Sequence, residues 1–421
     1  MIEIRPRQGI DSAIPVPGSK SITHRALIAS ALADGESEIE GALACEDTLL
    51  TIGALRELGI EIGIDGRVIR VSGKGGNFSP APGPREIFLG NSGTSYRFLL
   101  SATALARGDY LLSGTPRMCE RPIGELVRAL NQLGADARCI DRTGFPPVWV
   151  RARGLRGGPV TISGDKSSQF LSSLLLTAPY AETDVDIEIN GRLVSLPYVD
   201  VTVDVMGGFG IPVHRDDYRH FHIRAGKRYR PCHFRIEGDV SSASYFWAAA
   251  AVTRGVVTTL NIHPRTTRQG DIGFLEVLGE MGCRIIRESD MVRVEGQGLR
   301  AIEADMGSMP DMVPTLAAVA LFARGKTFIR NVAHLRFKES DRLRAIALEW
   351  QRLGAKIQEL SDGLVIQGET PLAGTALNPH NDHRLAMSMA VIGLKVPGIH
   401  VDNEHCVGKS FARFWEIWDS L

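Results

Sequence analysis

RALIASALADG, residues 25–35, decides how the rest of the chain reads, because the same kind of segment returns five times. The later copies are RFLLSATALARG (97–108), FLSSLLLTAPYA (170–181), SYFWAAAAVTRG (244–255), VPTLAAVALFARG (313–325) and RLAMSMAVIGLKVPG (384–398). All are rich in Ala, Ser and Leu, and their last residues lie 70–74 positions apart. A fixed period of this kind marks a repeat architecture. A second signal runs in phase with the first. It is an apolar helix closed by Gly and followed by a strand, in LRELGI (55–60), LNQLGA (130–135), VMGGFGI (205–211), VLGEMGC (277–283) and EWQRLGA (349–355). Glycine accepts the left-handed turn that ends a helix, and β-branched residues do not.

Each period reads as strand, small-residue helix, strand, Gly-terminated helix, strand and strand. Six such βαβαββ units in two halves of three predict an α/β chain with two pseudo-symmetric domains. Ala, Ser and Gly let helices approach closely, so the small-residue helices are expected inside each domain, as in an inside-out α/β barrel. The last copy of the second helix is SFARFWEIWDSL (410–421), and no strand follows it. The unassigned extended segment is Ile2 to Val16, so both chain ends are expected in one domain. That domain comprises residues 1–18 plus 234–421, around an inserted domain of residues 19–233, with the active site in the interdomain cleft.

The 421 residues carry 48 Lys plus Arg and 48 Asp plus Glu, a net charge of zero. That balance argues against a nucleic-acid coat or a polybasic membrane binder. Only nine of the cations are Lys, and Lys alone of the two can lose its proton when desolvated. Charges at Glu3, Arg5 and Arg7 interrupt any apolar signal core, and no apolar run reaches membrane-spanning length. A cytoplasmic protein is expected. The six cysteines lack CxxC spacing, and His220 and His222 have no third ligand nearby. Neither a disulfide framework nor a metal site is expected.

Polar clusters precede all six small-residue helices: GSKSITHR (18–25), GNSGTSYR (90–97), DKSSQ (165–169), GDVSSAS (238–244), MPDM (309–312) and NDHR (381–384). Capping alone accounts for one or two of them. Free N–H groups at helix N-termini suit anions, so six such ends point to a site for multiply charged anions. RMCERPIGEL (117–126), RFKESDR (336–342) and CVGKS (406–410) add further cations. Lys20, Lys338 and Lys409 all fall in these clusters. The inferred site gathers eight cations, Lys20, Arg25, Arg97, Arg121, Lys338, Arg342, Arg384 and Lys409, against Asp311 and Glu339.

Taken together and in order, PGSKSITHR, GNSGTSYR, RPIGEL, SSQFLSSLL, SLPYVDVT, GDVSSASYF, MPDM, RFKESDR, NDHRLAM and CVGKS resemble the 5-enolpyruvylshikimate-3-phosphate synthase family over essentially the whole chain. The resemblance implies transfer of the enolpyruvyl group of phosphoenolpyruvate to the 5-hydroxyl of shikimate-3-phosphate, with release of phosphate. It implies no metal or organic cofactor, a monomer, and closure of the domains around small-molecule substrates, with no nucleic-acid or membrane partner. By matching positions, Lys20, Ser21, Arg25, Ser167, Ser168, Gln169, Ser195, Tyr198, Asp311, His334 and Lys338 are expected to hold shikimate-3-phosphate. Lys20, Asn91, Gly93, Thr94, Arg97, Arg121, Gln169, Arg342, Arg384 and Lys409 are expected to hold phosphoenolpyruvate. Asp311 is the expected partner of the 5-hydroxyl and Glu339 the proton donor and acceptor at C3. Lys20 serves the leaving phosphate, with His383 in support.

His334 stands where the family often has Asn, and Phe98 where many herbicide-sensitive members have Pro. Gly93, next to which the inhibitor glyphosate binds in the family, is retained. The UDP-N-acetylglucosamine enolpyruvyl transferases share the fold but place a catalytic Cys five residues before an Arg-Pro. Here Pro116 holds that position before Arg121-Pro122, and Cys119 lies only two residues before Arg121. A non-catalytic clamp for a phosphorylated polymer is the other alternative. Zero net charge and the acid–base residues speak against it.

Overall fold

In a computed structural model of the chain, which describes residues 1–80 and 83–421, the five helix-ending glycines all have left-handed backbone. Their φ angles are 87° at Gly59, 90° at Gly134, 83° at Gly210, 117° at Gly282 and 92° at Gly354. At the end of each such helix the chain reverses into a strand, which is the repeat's basic turn.

The chain divides into two compact units, Gly18–Ile236 and Met1–Pro17 with Glu237–Leu421. Gly18–Ile236 contains helices α1 (Lys20–Leu32), α2 (Glu46–Glu57), α3 (Gly93–Ala104), α4 (Gly124–Gln132), α5 (Ser168–Thr177) and α6 (Pro197–Gly208). Three four-stranded sheets accompany them. In spatial order one is His233–Arg235, Asp34–Glu40, Val68–Lys74 and Glu61–Asp65. The second is Arg85–Phe88, Gly108–Ser113, Val148–Ala152 and Asp136–Cys139, and the third is Gly158–Ser163, Val185–Asn190, His220–Ile223 and His214–Asp216. In each, the first pair is parallel and the rest antiparallel.

The other unit repeats this plan with α7 (Val240–Thr253), α8 (Phe274–Glu280), α9 (Val313–Ala320), α10 (Arg342–Arg352), α11 (His383–Gly393) and α12 (Phe414–Asp419). Its sixth repeat ends with α12. Among the described residues that sheet has three strands, Ala376–Leu377, Ile399–Val401 and Ile2–Ile4, with Ile2 antiparallel opposite Val401. Arg7 also donates to the Asp419 carbonyl at 2.6 Å. Two edge strands are exchanged between sequence neighbours. Asp11–Pro15 leads into α1 yet pairs with Val256–Leu260, and His233–Arg235 leads into α7 yet pairs with Glu38–Glu40.

Within each unit the small-residue helices, α1, α3 and α5 or α7, α9 and α11, each touch the other two. They are buried on every side, which explains why they carry no polar stripe. All of α9 and α11 is buried, and all of α3 except Thr94 and of α7 except Ser241. The Ser101 and Ser173 hydroxyls hydrogen-bond across the α3–α5 contact, where larger side chains would hold the helices apart.

The last strand of a repeat passes over the end of its central helix at a glycine. A Cβ at Gly73 would lie 2.2 Å from the Ser30 carbonyl oxygen, one at Gly296 2.0 Å from that of Ala250, and one at Gly368 1.9 Å from that of Ala323. Backbone atoms have no rotamer with which to retreat. Gly73→Ala and Gly368→Ala should each cost about 1–3 kcal/mol, seen as lower denaturant midpoints. Gly53→Ala, inside α2 with nothing within 4 Å of the new Cβ, should instead gain about 0.5–1 kcal/mol. Equal midpoints for all three would show that the close approaches do not constrain the fold.

Candidate active site

In Gly18–Ile236 the sequence-selected residues gather at the N-terminal ends of α1, α3, α5 and α6. Lys20 opens α1 and its Nζ lies 2.8 Å from Asp47 Oδ2 on α2. Arg25, one turn later, is 1% exposed. It donates to Thr202 Oγ1 at 2.7 Å, the Ser21 carbonyl at 2.9 Å, the Tyr198 carbonyl at 3.0 Å and Ser172 Oγ at 3.4 Å. All four acceptors are neutral. Burial lowers the Arg25 guanidinium to about 9, because a charge taken from water without a counter-charge is destabilised. An incoming carboxylate or phosphate would offset that cost.

Ser92 caps α3, and Gly93 is its first residue. A Cβ at Gly93 would meet Arg121 Nη2 at 2.5 Å and Arg97 Nη1 at 2.9 Å, so both guanidinium groups lie against its bare Cα. Arg121 donates to the Asn91 carbonyl at 2.9 Å and Oδ1 at 3.2 Å. Arg97 donates to Gln169 Oε1 at 2.5 Å, and Gln169 Nε2 donates to Thr94 Oγ1 at 2.9 Å. Gln169 thus ties α5 to α3. Ser167 caps α5 by accepting from the Gln169 N–H, and Ser168 is buried behind it. Ser195 is buried with φ 55°, a strained conformation for a non-glycine residue, and its carbonyl accepts from the Tyr198 N–H.

In the second unit one guanidinium holds the cluster together. Arg342, 1% exposed, donates to Asp382 Oδ2 at 2.8 Å, Asp311 Oδ1 at 2.8 Å and Glu339 Oε2 at 2.7 Å. Arg384 donates to Asp311 Oδ2 at 2.8 Å and to Ser241 Oγ at 3.4 Å. The N-terminal ends of α7, α9 and α11 therefore meet through Ser241, Asp311 and Arg384. Lys338 Nζ stands 3.8 Å from Asp311 Oδ1. Burial pushes the Asp311 carboxyl up, but Arg384, Lys338 and Arg342 outweigh it and hold the group well below the usual carboxylate range. Asp311 is an acceptor here and not an acid.

His383 is buried with Nδ1 3.8 Å from Asp382 Oδ1. Lys409 is buried at the end of the 3-10 turn Glu404–Lys409, which packs on α11. His334, in the turn Ala333–Phe337, is buried and its Nε2 makes no hydrogen bond among the described residues. Burial, then Lys338, lower it to about 4.

Several members of these clusters escaped sequence reading. Asp382 caps α11 and binds Arg342, yet NDHR draws attention to its His and Arg. Asp47 stands in the first turn of an ordinary helix, and Asp271 lies in no motif at all. Asp271 accepts from the Ser241 hydroxyl and is pushed up to about 6 by burial and by Asp311. The Tyr245 hydroxyl lies beside Arg384 and is raised to about 12 by burial. In the second unit Arg342 pairs with Asp311, Glu339 and Asp382, and Arg384 and Lys338 face Asp311. In Gly18–Ile236 Lys20 pairs with Asp47, and Arg25 lies among four neutral acceptors.

Six βαβαββ repeats with cations and paired carboxylates at their helix N-termini define a group-transfer enzyme for anionic substrates. The chain belongs to the EPSP synthase (3-phosphoshikimate 1-carboxyvinyltransferase) family, whose model matches residues 4–418. It is 46% identical over 422 residues to the 3-phosphoshikimate 1-carboxyvinyltransferase of Syntrophobacter fumaroxidans, with 99% of both chains covered. It is 47% identical over 408 residues to that of Methanoculleus marisnigri, covering 97% of this chain and 96% of the relative. A 2.37 Å structure of EPSP synthase from Acinetobacter baumannii matches with a TM-score of 0.83 at 26% identity, covering 99% of this chain and 97% of that one. Among the described residues no helix is long and apolar enough to cross a membrane.

His334 and Asp271 give a pH test. An unfolded His334 protonates near 6.5 and the folded one only near 4, so between these values the unfolded state binds more protons and stability falls as pH falls. Asp271, raised from 3.8 to about 6, has the opposite slope in nearly the same window. Replacing His334 by Asn should therefore remove an acid-side loss on the order of 3 kcal/mol between pH 6.5 and 4. Denaturant titrations of both proteins across that window check it. Parallel stability curves would mean His334 is not held neutral.

Proposed function

We propose that this chain carries out the reaction of its family, and that the two clusters act on the same pair of substrates. The 5-hydroxyl oxygen of shikimate-3-phosphate attacks C2 of phosphoenolpyruvate while C3 takes a proton. The adduct then loses a proton from C3 as the C–O bond to phosphate breaks, leaving the enol ether and inorganic phosphate, which takes up the proton released by the hydroxyl. No electron is gained or lost overall, so the reaction as read needs no redox group.

The observation that carries this reading is the Arg342 network, in which Asp311 and Glu339 share one buried guanidinium at 2.8 and 2.7 Å. Asp311, kept ionised by three cations, accepts the hydrogen of the attacking hydroxyl. An anionic substrate that draws Arg384 and Arg342 toward itself weakens their hold on Asp311, and its basicity rises as the hydroxyl needs it. Glu339 carries the proton to and from C3. Lys20 and His383 serve the departing phosphate. Arg97 and Arg121 beside Gly93, with Asn91 and Thr94, hold phosphoenolpyruvate together with Arg342, Arg384 and Lys409. Arg25 with Ser21 holds the shikimate carboxylate, and Ser167, Ser168, Ser195 and Lys338 its phosphate. Gln169 spans the two, with Tyr198 and His334 nearby. The buried, neutrally partnered Arg25 supports a role for an external anion. The family and the absence of disulfides among the six cysteines support a cytoplasmic protein, and we further propose a monomer.

Phosphate release from phosphoenolpyruvate should require shikimate-3-phosphate and should not occur with UDP-N-acetylglucosamine. Asp311→Asn and Glu339→Gln should each lower kcat by about 10²–10⁴ in protein shown by circular dichroism to be folded, with lowered thermal midpoints because each removes a charge from the buried Arg342 network. Release with the nucleotide sugar, or near-normal kcat in either variant, contradicts the assignment. Arg25→Gln should raise the KM for shikimate-3-phosphate more than that for phosphoenolpyruvate. An equal rise in both would separate Arg25 from the shikimate carboxylate.

A further inference from the structure

The helix that supplies Arg342 carries a second buried polar anchor. Arg342 opens α10, and Glu349 follows after about two turns, on the same face and ~10 Å farther along the axis. Glu349 is 4% exposed, and three groups donate to its carboxylate. Arg352 Nη1 reaches Oε2 at 2.7 Å, the Asn378 backbone N–H reaches Oε2 at 3.0 Å, and His380 Nε2 reaches Oε1 at 3.0 Å. The proposed reaction gives this carboxylate nothing to do.

The segment that Glu349 grips runs straight into the Arg342 cluster. The Asp382 N–H donates to the Pro379 carbonyl at 2.9 Å and closes a four-residue turn. Both central residues are left-handed, with φ 52° at His380 and 55° at Asn381. Such turns are dominated by Gly, Asn and Asp, and His380 is none of these. A side chain in this conformation persists where its surroundings hold it. Here the His380 ring is tied to Glu349, and its N–H donates to Asn378 Oδ1 at 2.7 Å. Asn403 Nδ2 donates to Asn381 Oδ1 at 3.1 Å.

Past the turn the chain meets α10 again. Asp382 accepts from Arg342 Nε at 2.8 Å and caps α11 by accepting from the Arg384 N–H at 3.0 Å. One face of α10 therefore fixes both ends of Asn378–Asp382, Glu349 at the first and Arg342 at the second. The turn between them sets where α11 begins, and with it where Arg384 reaches Asp311.

We propose that Glu349 and His380 are positioning residues: together they lock the left-handed turn, and the locked turn places Asp382 against Arg342 and Arg384 against Asp311. The consequence for turnover rests on the proposed reaction, whereas the lock itself does not.

Two variants of the full chain test it. Glu349→Leu removes all three acceptors at similar volume. His380→Asn keeps a residue that tolerates left-handed backbone but is too short to replace the ring on Glu349. It carries the test alone if Glu349→Leu does not fold. In each, amide hydrogen exchange at Asp382 and Arg384 should quicken by about tenfold or more, with no matching rise in Gly18–Ile236. The KM for phosphoenolpyruvate should rise about tenfold and that for shikimate-3-phosphate by less than about twofold. Gly73→Ala, destabilised in the other unit, should leave exchange at Asp382 and Arg384 and both KM values as in the parent chain. A lowered Tm with parental exchange at Asp382 and Arg384, or with a parental KM for phosphoenolpyruvate, would show a purely structural role and overturn the proposal. If the parent chain itself releases no phosphate, the reaction is misassigned and exchange alone decides. Parental exchange in His380→Asn then overturns the lock.

Discussion

A helix buried on all sides has only its ends to offer. Beyond their first two turns α3, α7, α9 and α11 carry no charged side chain, because every face meets another helix or a sheet. The chemistry that such a helix supports must sit at its first turn, where N–H groups are unpaired and the dipole is positive. The two side chains that break the burial of α3 and α7, Thr94 and Ser241, are both in those first turns. Thr94 accepts from Gln169 and Ser241 from Arg384.

The two units use this constraint in opposite electrostatic ways. Around Arg342, three carboxylates are stacked on one buried guanidinium, a costly arrangement to desolvate and a poor way to gain stability. Such a network makes better sense as a device for holding Asp311 and Glu339 in place and keeping Asp311 ionised. Around Arg25 the reverse holds: the cation is buried among neutral oxygens and its proton is correspondingly loosened. In one cluster carboxylates and cations pair with each other. In the other a buried cation is met by neutral oxygens. A formal net charge of zero for the chain conceals both.

Period and glycine placement made the fold legible, since a left-handed turn every repeat is a local property that one residue type satisfies. The exchanged edge strands were not legible in the same way. Nothing in Asp11–Pro15 or His233–Arg235 states which sheet they will join, because pairing is set by register with strands far away in sequence. Among the charged residues, Asp311, Glu339, Arg342 and Arg384 stand out as motifs, and the structure brings them into one hydrogen-bonded network. Asp271 does not stand out, for an isolated aspartate acquires meaning only from what folds against it.

The sequence by itself determined the repeat, the α/β class and the residues that open each central helix, because periodicity, capping and small side chains act over a few positions. Tertiary structure alone decided the rest. It set which carboxylates neutralise which cations, and that Arg25 meets only neutral acceptors among the described residues. Those outcomes depend on distances of a few ångströms between residues separated by up to hundreds of positions in the chain. Coulomb and packing energies respond to that separation in space, and sequence order does not report it.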